Sequence, residues 1–366
     1  MIDRINLSTY FAANYFAARQ QFLNRTQRLN WATSHHEIAA KGPAGEPLLI
    51  DVAVRDGGET KPWSTIIVSS GLHGVEGFLG SAVQCACLDW IAGLPDQSKL
   101  PRLVFVHALN PFGFAWLRRC NEDNVDLNRN FMREAEGYRG APDDYTVLDS
   151  LLNPKTPPSP WEPFQFYAML AILRYGLPRL KRAIAAGQYE FPRGLFYGGQ
   201  TACETSRFVQ QHFTEWLGPS NGPVLHLDFH TGLGHSGEFE LLSDLPPTKT
   251  QAERIRSVLG HAVHSNQSSA AMTYQARGSI GEWCWRQAAD RDYSYLCVEF
   301  GTYSPVKVLR ALRAENRAQQ WDRQETETYR WAKELLKEAF CPSSDDWRQH
   351  AAEQGLNLIQ RATGQS

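Results

Sequence analysis

Two histidines and two glutamates stand where apolar runs give way to glycine-rich turns, a pattern with chemical consequences. The run Thr65-Ile66-Ile67-Val68 leads into Ser69-Ser70-Gly71-Leu72-His73-Gly74-Val75-Glu76-Gly77, which places a histidine and a glutamate three residues apart at a strand end. Glycine lets the backbone turn tightly there, so both side chains can converge on one metal ion. The run Val224 to Phe229 ends in His230-Thr231-Gly232-Leu233-Gly234, a second histidine in the same setting. Two histidines and one carboxylate on zinc leave a position for water, which is the donor set of a catalytic metal. His107, His226 and His235 are rivals for the histidine positions, with His226 better suited to a core or supporting place inside its strand. Asp228 shares a strand face with His226 and His230 and can support a ligand from behind. Glu299 lies inside the run Leu296 to Phe300, where a carboxylate is costly unless it is paired or used. Finally, Arg129 offers a planar fork suited to a carboxylate, and Asn128 can donate beside it.

These residues need a frame, and the apolar pattern supplies one. Thr65 to Ser69, Leu103 to Ala108, Val224 to Phe229 and Leu296 to Phe300 are too short for helices and rich in β-branched or aromatic residues, as buried central strands are. Glu37 to Lys41 and Leu48 to Val54, separated by Gly42-Pro43-Ala44-Gly45, read as a hairpin. Helical stretches are expected over Phe78 to Trp90 and Ala252 to His264. A first helix capped by Ser8 is expected to pack Phe11, Tyr15, Ala18 and Phe22, and a last helix Tyr329, Ala332, Leu336 and Ala339. The alternation predicts an α/β fold with a mixed, mostly parallel central sheet flanked by helices, with ligands at the carboxyl ends of the strands. One domain is expected over 1–340. Within it, 133–206 reads as an insertion or lid, with a helical stretch from Met169 to Leu180, and 341–366 reads as a polar tail that frays.

Composition narrows the function classes. The chain has 366 residues, 42% of them hydrophobic, and a net charge of −2 with no basic block, which disfavours nucleic acid as a partner. No run reaches the roughly 18 to 20 apolar residues of a membrane helix, and no secretion signal is evident, so a cytoplasmic enzyme is expected. Seven unpatterned cysteines are expected to be reduced, with Cys85 and Cys87 buried as small hydrophobes.

The ordered set His73-x-x-Glu76, Asn110-Pro111, Asp126-Leu127-Asn128-Arg129-Asn130, His230 and Glu299 resembles the zinc metallocarboxypeptidases of the carboxypeptidase A type. Tyr274-Gln275-Ala276 resembles that family's stretch upstream of its catalytic glutamate. The resemblance spans residues from about 60 to 303. It implies one zinc ion on His73, Glu76 and His230, Glu299 as general base, Asn128 and Arg129 as carboxylate clamp, and Tyr274 as a phenol covering bound substrate. It also implies an oxyanion-stabilising arginine, Arg119, with Arg118 as its rival. The implied reaction is hydrolysis of an amide bond beside a free carboxylate, in a peptide or an acylated amino acid. An N-acyl amino acid deacylase of the aspartoacylase and succinylglutamate desuccinylase type is the alternative enzyme, and a non-catalytic zinc or peptide-binding module the alternative class. Phe112 follows Asn110-Pro111 where the family more usually has aspartate. The stretch around Ile280 to Glu282 leaves open whether an apolar or an acidic residue floors the side-chain pocket.

Overall fold

Alternation along two neighbouring strands organises the molecule, which we describe from a computed structural model over residues 6–57, 62–133, 137–176, 179–180, 186–265 and 277–365. The strands are β1 (Ala32–Lys41), β2 (Pro47–Arg55), β3 (Thr65–Ser70), β4 (Arg102–His107), β5 (Val224–Ser236), β6 (Phe239–Ser243), β7 (Val263–Ser265) and β8 (Tyr293–Gly301). They form one sheet in the order β1-β2-β4-β3-β5-β8-β6-β7. The central pairs β4-β3, β3-β5 and β5-β8 are parallel, whereas β1-β2, β2-β4 and β6-β8 are antiparallel. Side chains on successive strand residues point to opposite faces. Leu225, Leu227 and Phe229 of β5 and Leu296, Val298 and Phe300 of β8 therefore enter one apolar core with Ile66, Val68, Leu103 and Phe105. The residues between them, His226, Asp228 and His230 on β5 and Tyr295, Cys297 and Glu299 on β8, stand in register on the other face. That face packs a separate core containing Ile67, Val104 and Val106.

Helices cover both faces: α1 (Tyr15–Arg28), α2 (Gly77–Ala92), α3 (Pro111–Ala115), α4 (Asp143–Leu152), α5 (Phe164–Tyr175), α6 (Glu204–Leu217), α7 (Lys249–Leu259), α8 (Ile280–Gln287), α9 (Pro305–Trp321), α10 (Glu327–Phe340) and α11 (Asp345–Thr363). Several expected boundaries move. Asn14 rather than Ser8 caps α1, because Leu7–Tyr10 closes a separate 3-10 turn. Left-handed Gly260 stops α7, so Val263 and His264 belong to β7 instead of a longer helix. The helix expected from Met169 begins at Phe164 and ends at Tyr175. The polar tail is the largest correction. Ser344 caps α11, which buries Trp347, Ala351, Ala352, Leu358, Ile359 and Ala362, and α11 packs against α2. All seven cysteines are free, and Cys85 and Cys87 are buried in α2. Among the described residues no helix is long and apolar enough to cross a membrane.

Candidate metal centre

Parallel pairing of β3, β5 and β8 brings their carboxyl ends to one edge, and His73, His230 and Glu299 gather there. His73 follows β3, and Glu76 closes the 3-10 turn Gly74–Glu76 from which α2 starts. That turn lies on the loop before Cys120, with Gly74 N–H donating to the Arg119 carbonyl at 3.2 Å and Val75 N–H to the Arg118 carbonyl at 2.8 Å. Contact is so close that a Cβ on Gly74 would lie 2.1 Å from the Gly113 carbonyl carbon, so only glycine fits. His230 and Glu299 are register partners on β5 and β8.

Three donors meet in this edge. His73 Nδ1 lies 3.0 Å from Glu76 Oε1, His230 Nδ1 lies 3.1 Å from Glu76 Oε2, and the two Nδ1 atoms are 3.2 Å apart. Tetrahedral ligation at about 2.0–2.1 Å sets donors roughly 3.3 Å apart, so the spacing suits one zinc-sized ion. Behind the donors stand carboxylates. Asp126 Oδ1 is 3.2 Å from His73 Nε2, and Asp228 Oδ2 is 2.7 Å from His230 Nε2. An acceptor on Nε2 fixes the tautomer whose Nδ1 lone pair faces the ion. Ser69 Oγ at 2.6 Å and the Tyr295 hydroxyl at 2.9 Å donate to Asp228. Ser69 has one proton to give, so His226 Nε2, 2.8 Å away, donates to it, and Tyr293 donates to His226 Nδ1 at 2.7 Å. His226 is thereby a neutral supporting residue, and burial pushes its pKa down to about 4.

The electrostatics are those of a cation site. Burial alone would raise the Glu76 carboxyl, but His73 and His230 hold it well below the usual carboxylate range. Arg119 and His73 outweigh burial at Asp126 in the same way. Burial disfavours a charge on His230, yet Asp228 and Glu76 raise its pKa well above the ordinary value. Buried, mutually facing histidines and carboxylates of this kind are the chemistry of a divalent metal site, and the donor set fits zinc.

Around the donors, the arginines separate. Arg118 is buried away from the centre, bound to Glu315 at 2.8 Å and to the Asn124 side-chain oxygen at 2.7 Å. Arg119 reaches in, with contacts to Glu76 Oε1 at 3.1 Å, Asp126 Oδ2 at 3.0 Å and His73 Nε2 at 2.7 Å. Asn128 accepts a hydrogen bond from Ile280 N–H at 3.1 Å through Oδ1, which leaves Nδ2 as its donor. Arg129 is buried, and it donates from Nη1 to the Asn128 carbonyl at 2.7 Å. Glu299 accepts from Leu233 N–H at 2.9 Å, and its Oε2 lies 3.8 Å from the Cys297 thiol. Burial first, and then Glu76, push the Glu299 carboxyl up to about 7. Tyr274 lies outside the described residues.

The other rivals fall away from the centre. His107 is buried, 2.9 Å from Ser81 Oγ, and stacks on Phe22 at 4.7 Å, while His235 is exposed. In α8, Ile280 is buried and Glu282 pairs with Arg286 at 2.6 Å. Sequence reasoning missed the part played by Asp126. Its only local signal is its place as N-cap of the turn Leu127–Arg129, where it accepts from Asn128 N–H at 3.1 Å. Nothing in the sequence marks Leu233 N–H, because any residue but proline supplies it there.

No curated protein matches the chain. Among solved structures it is similar to bovine thrombin-activatable fibrinolysis inhibitor in complex with tick carboxypeptidase inhibitor, at 12% identity over 94% of this chain and 99% of that chain, with a TM-score of 0.46. It is similar to carboxypeptidase A from Helicoverpa armigera at 13% identity, with 90% of this chain and 74% of that chain covered and a TM-score of 0.46. The murein-tripeptide amidase MpaA from Escherichia coli O157 matches at 16% identity, with 80% and 94% covered and a TM-score of 0.40. None of these likenesses assigns an activity to the chain. The family model described as a protein of unknown function, DUF2817, matches residues 11–354, and the chain belongs to that family.

Proposed function

We propose that the chain is a zinc-dependent hydrolase that cleaves an amide bond next to a free carboxylate, acting on peptides in the manner of a metallocarboxypeptidase. One observation carries this reading. A His2Glu donor set spaced 3.0–3.2 Å apart stands beside Glu299, a buried carboxylate outside that set with its pKa raised to about 7. A purely structural metal needs no such neighbour. Zinc on His73, Glu76 and His230 would supply Lewis acidity for the scissile carbonyl and for water near neutral pH.

The chain's own groups do the rest. Arg129 and Asn128 Nδ2 grip the substrate carboxylate, a charge-assisted contact that fixes which bond lies over the centre. Glu299, steadied by Leu233 N–H, takes the proton of the attacking water and passes it to the leaving amine. Arg119 serves the oxygen on which charge develops. With His73 Nδ1 engaged, Nε2 carries a proton for Asp126, so the Arg119 contact at 2.7 Å becomes one donor against another. That leaves Arg119 Nη2 as the group to meet the substrate oxygen, while Nε and Nη1 stay on Asp126 and Glu76. Tyr274 is assigned its covering role on the motif alone.

The test is a turnover screen of zinc-loaded protein against short peptides with free and amidated C-termini and against N-acyl amino acids. Release of C-terminal residues from free peptides is expected. Turnover of N-acyl amino acids alone would move the substrate to the deacylase class, and no turnover of either would overturn the hydrolase reading.

A further inference from the structure

Helix α5 is apolar on both sides. Phe164, Ala168 and Ala171 face the protein and are buried, with the Arg313 guanidinium 5.0 Å from the Phe164 ring centre. On the opposite side Phe166, Met169, Leu170 and Leu173 recur at i, i+3, i+4 and i+7, and they are 52, 50, 45 and 76% exposed. Tyr167, whose ring centre lies 6.2 Å from that of Phe166, and Trp161, just before the helix, extend the stripe at 41 and 91% exposed. The helix is anchored to the body: Glu162, two residues before Phe164, pairs with Arg313 at 2.8 Å and with Arg317. A helix apolar all round is ordinarily covered all round. Scattered single hydrophobes need no such explanation, but a contiguous row of six does.

We infer that this stripe is the contact between two copies of the chain, α5 packing on α5 about a two-fold axis. Area supports that occupant. At about 150–250 Å² for each large side chain, the exposed fractions leave roughly 500–900 Å² of surface on each copy, a span that includes the roughly 800 Å² a standard stable interface buries per partner. Charge supports it too. Arg174 is the single charged residue of α5, so the stripe meets its own copy without a row of like charges. A helix that lies on a bilayer instead carries several lysines or arginines on its polar face, and α5 has none beyond Arg174.

Sedimentation of the full chain at roughly 1–50 μM, a range that brackets a micromolar dissociation constant, tests the inference. The wild type is expected to run as a dimer. Leu173→Asp places a charge within a desolvated contact and is expected to weaken the dimer by about 30-fold or more. Its melting temperature at low concentration should match the wild type, because Leu173 is 76% exposed in one copy. A second variant, Leu170→Cys, should join two copies through a short bismaleimide, whereas the unsubstituted protein should not. A wild type that stays monomeric throughout the range overturns the inference. So does a dimer that survives Leu173→Asp together with Phe166→Ser, and so does a monomer that floats with neutral phosphatidylcholine vesicles, which would give the stripe to a bilayer.

Discussion

Replacing Asp228 by Asn isolates the contribution of a charge that stands behind the proposed zinc ligand His230. In the native site Asp228 Oδ2 receives His230 Nε2–H at 2.7 Å and the Tyr295 hydroxyl at 2.9 Å, while Oδ1 receives Ser69 at 2.6 Å. Asn keeps the shape and one oxygen. Placed at the Oδ2 position, that oxygen still serves His230 and Tyr295, and the new –NH2 donates to Ser69 Oγ. Ser69 then turns its proton toward His226 Nε2, 2.8 Å away, and the neutral His226 shifts its own proton to Nδ1. Every buried polar group keeps a partner, so the metal-free fold should survive. What is lost is the negative charge that makes His230 a stronger base. Outer partners of this kind are worth 10–100-fold in metal affinity, or about 1.4–2.7 kcal/mol at 1.36 kcal/mol per tenfold. The same charge raises the pKa of His230, so in the wild type a proton competes with zinc for Nδ1. Competition fades as pH rises. The deficit of the variant should therefore be smaller at pH 7 than at pH 9. Zinc competition against a chromogenic chelator at both pH values, with melting of the metal-free proteins alongside, measures this. A change under about threefold at the higher pH would refute the view that Asp228 tunes a ligand. A variant that melts far below the wild type would refute the account of its hydrogen bonds.

Four further outcomes are expected. Glu299→Gln should keep zinc and fold while kcat falls by about 10² to 10⁴, and retention of more than about a tenth of the rate, under 1.4 kcal/mol of barrier, removes Glu299 from the base role. Amidating the substrate carboxylate should cost about 10²-fold or more in kcat/KM, since charge-assisted hydrogen bonds to Arg129 and Asn128 are lost; equal rates would deny the clamp. Burial depresses the pKa of His107 from 6.5 to about 4, so its stabilising effect is complete above pH 6.5 and lost as pH falls toward 4. That is about 2 kcal/mol by pH 5, and metal-free His107→Leu should show a shallower decline in urea midpoint between pH 7 and 5. Trp347→Ala should cost about 3–5 kcal/mol, because Trp347 is buried and donates from Nε1 to the Gly301 carbonyl at 2.9 Å; a loss under about 1 kcal/mol in urea unfolding would mean that α11 is dispensable.

The central sheet was legible because β3, β4, β5 and β8 are short runs dense in β-branched and aromatic residues. Strand ends were legible as places for chemistry because glycine follows them. Other parts were hidden for physical reasons. Helix α11 reads as polar by composition, yet Trp347, Ala351, Gly355, Leu358 and Ala362 recur at helical spacing, and its buried face consists largely of small residues. Period carried that signal and overall polarity masked it. The helix expected through His264 ended early because Gly260 adopts a left-handed conformation, a choice settled by the turn it must make toward β7. Within the centre, His73, Glu76, His230 and Glu299 were visible as chemically unusual residues in apolar or glycine-rich surroundings. Asp126 was not, since an aspartate opening a turn looks like an ordinary cap until the fold sets it behind His73. The resemblance favoured Arg119 over its neighbour Arg118, and the fold separates them physically: Arg118 is buried against Glu315, whereas Arg119 reaches Glu76 and Asp126.

The alternation along β5 ties the chemistry to the folding code. Leu225, Leu227 and Phe229 specify one core, and the residues between them, His226, Asp228 and His230, supply the centre on the other face. Inserting or deleting a single residue within that stretch would carry the imidazoles and the carboxylate into a hydrocarbon layer and thrust leucines among the candidate metal donors. Both faces would fail at once, so drift in this strand is confined to replacement in place. A change of length is tolerable in the connections, where no such alternation has to be kept, and the spacing from Leu225 to His230 is fixed by both faces together.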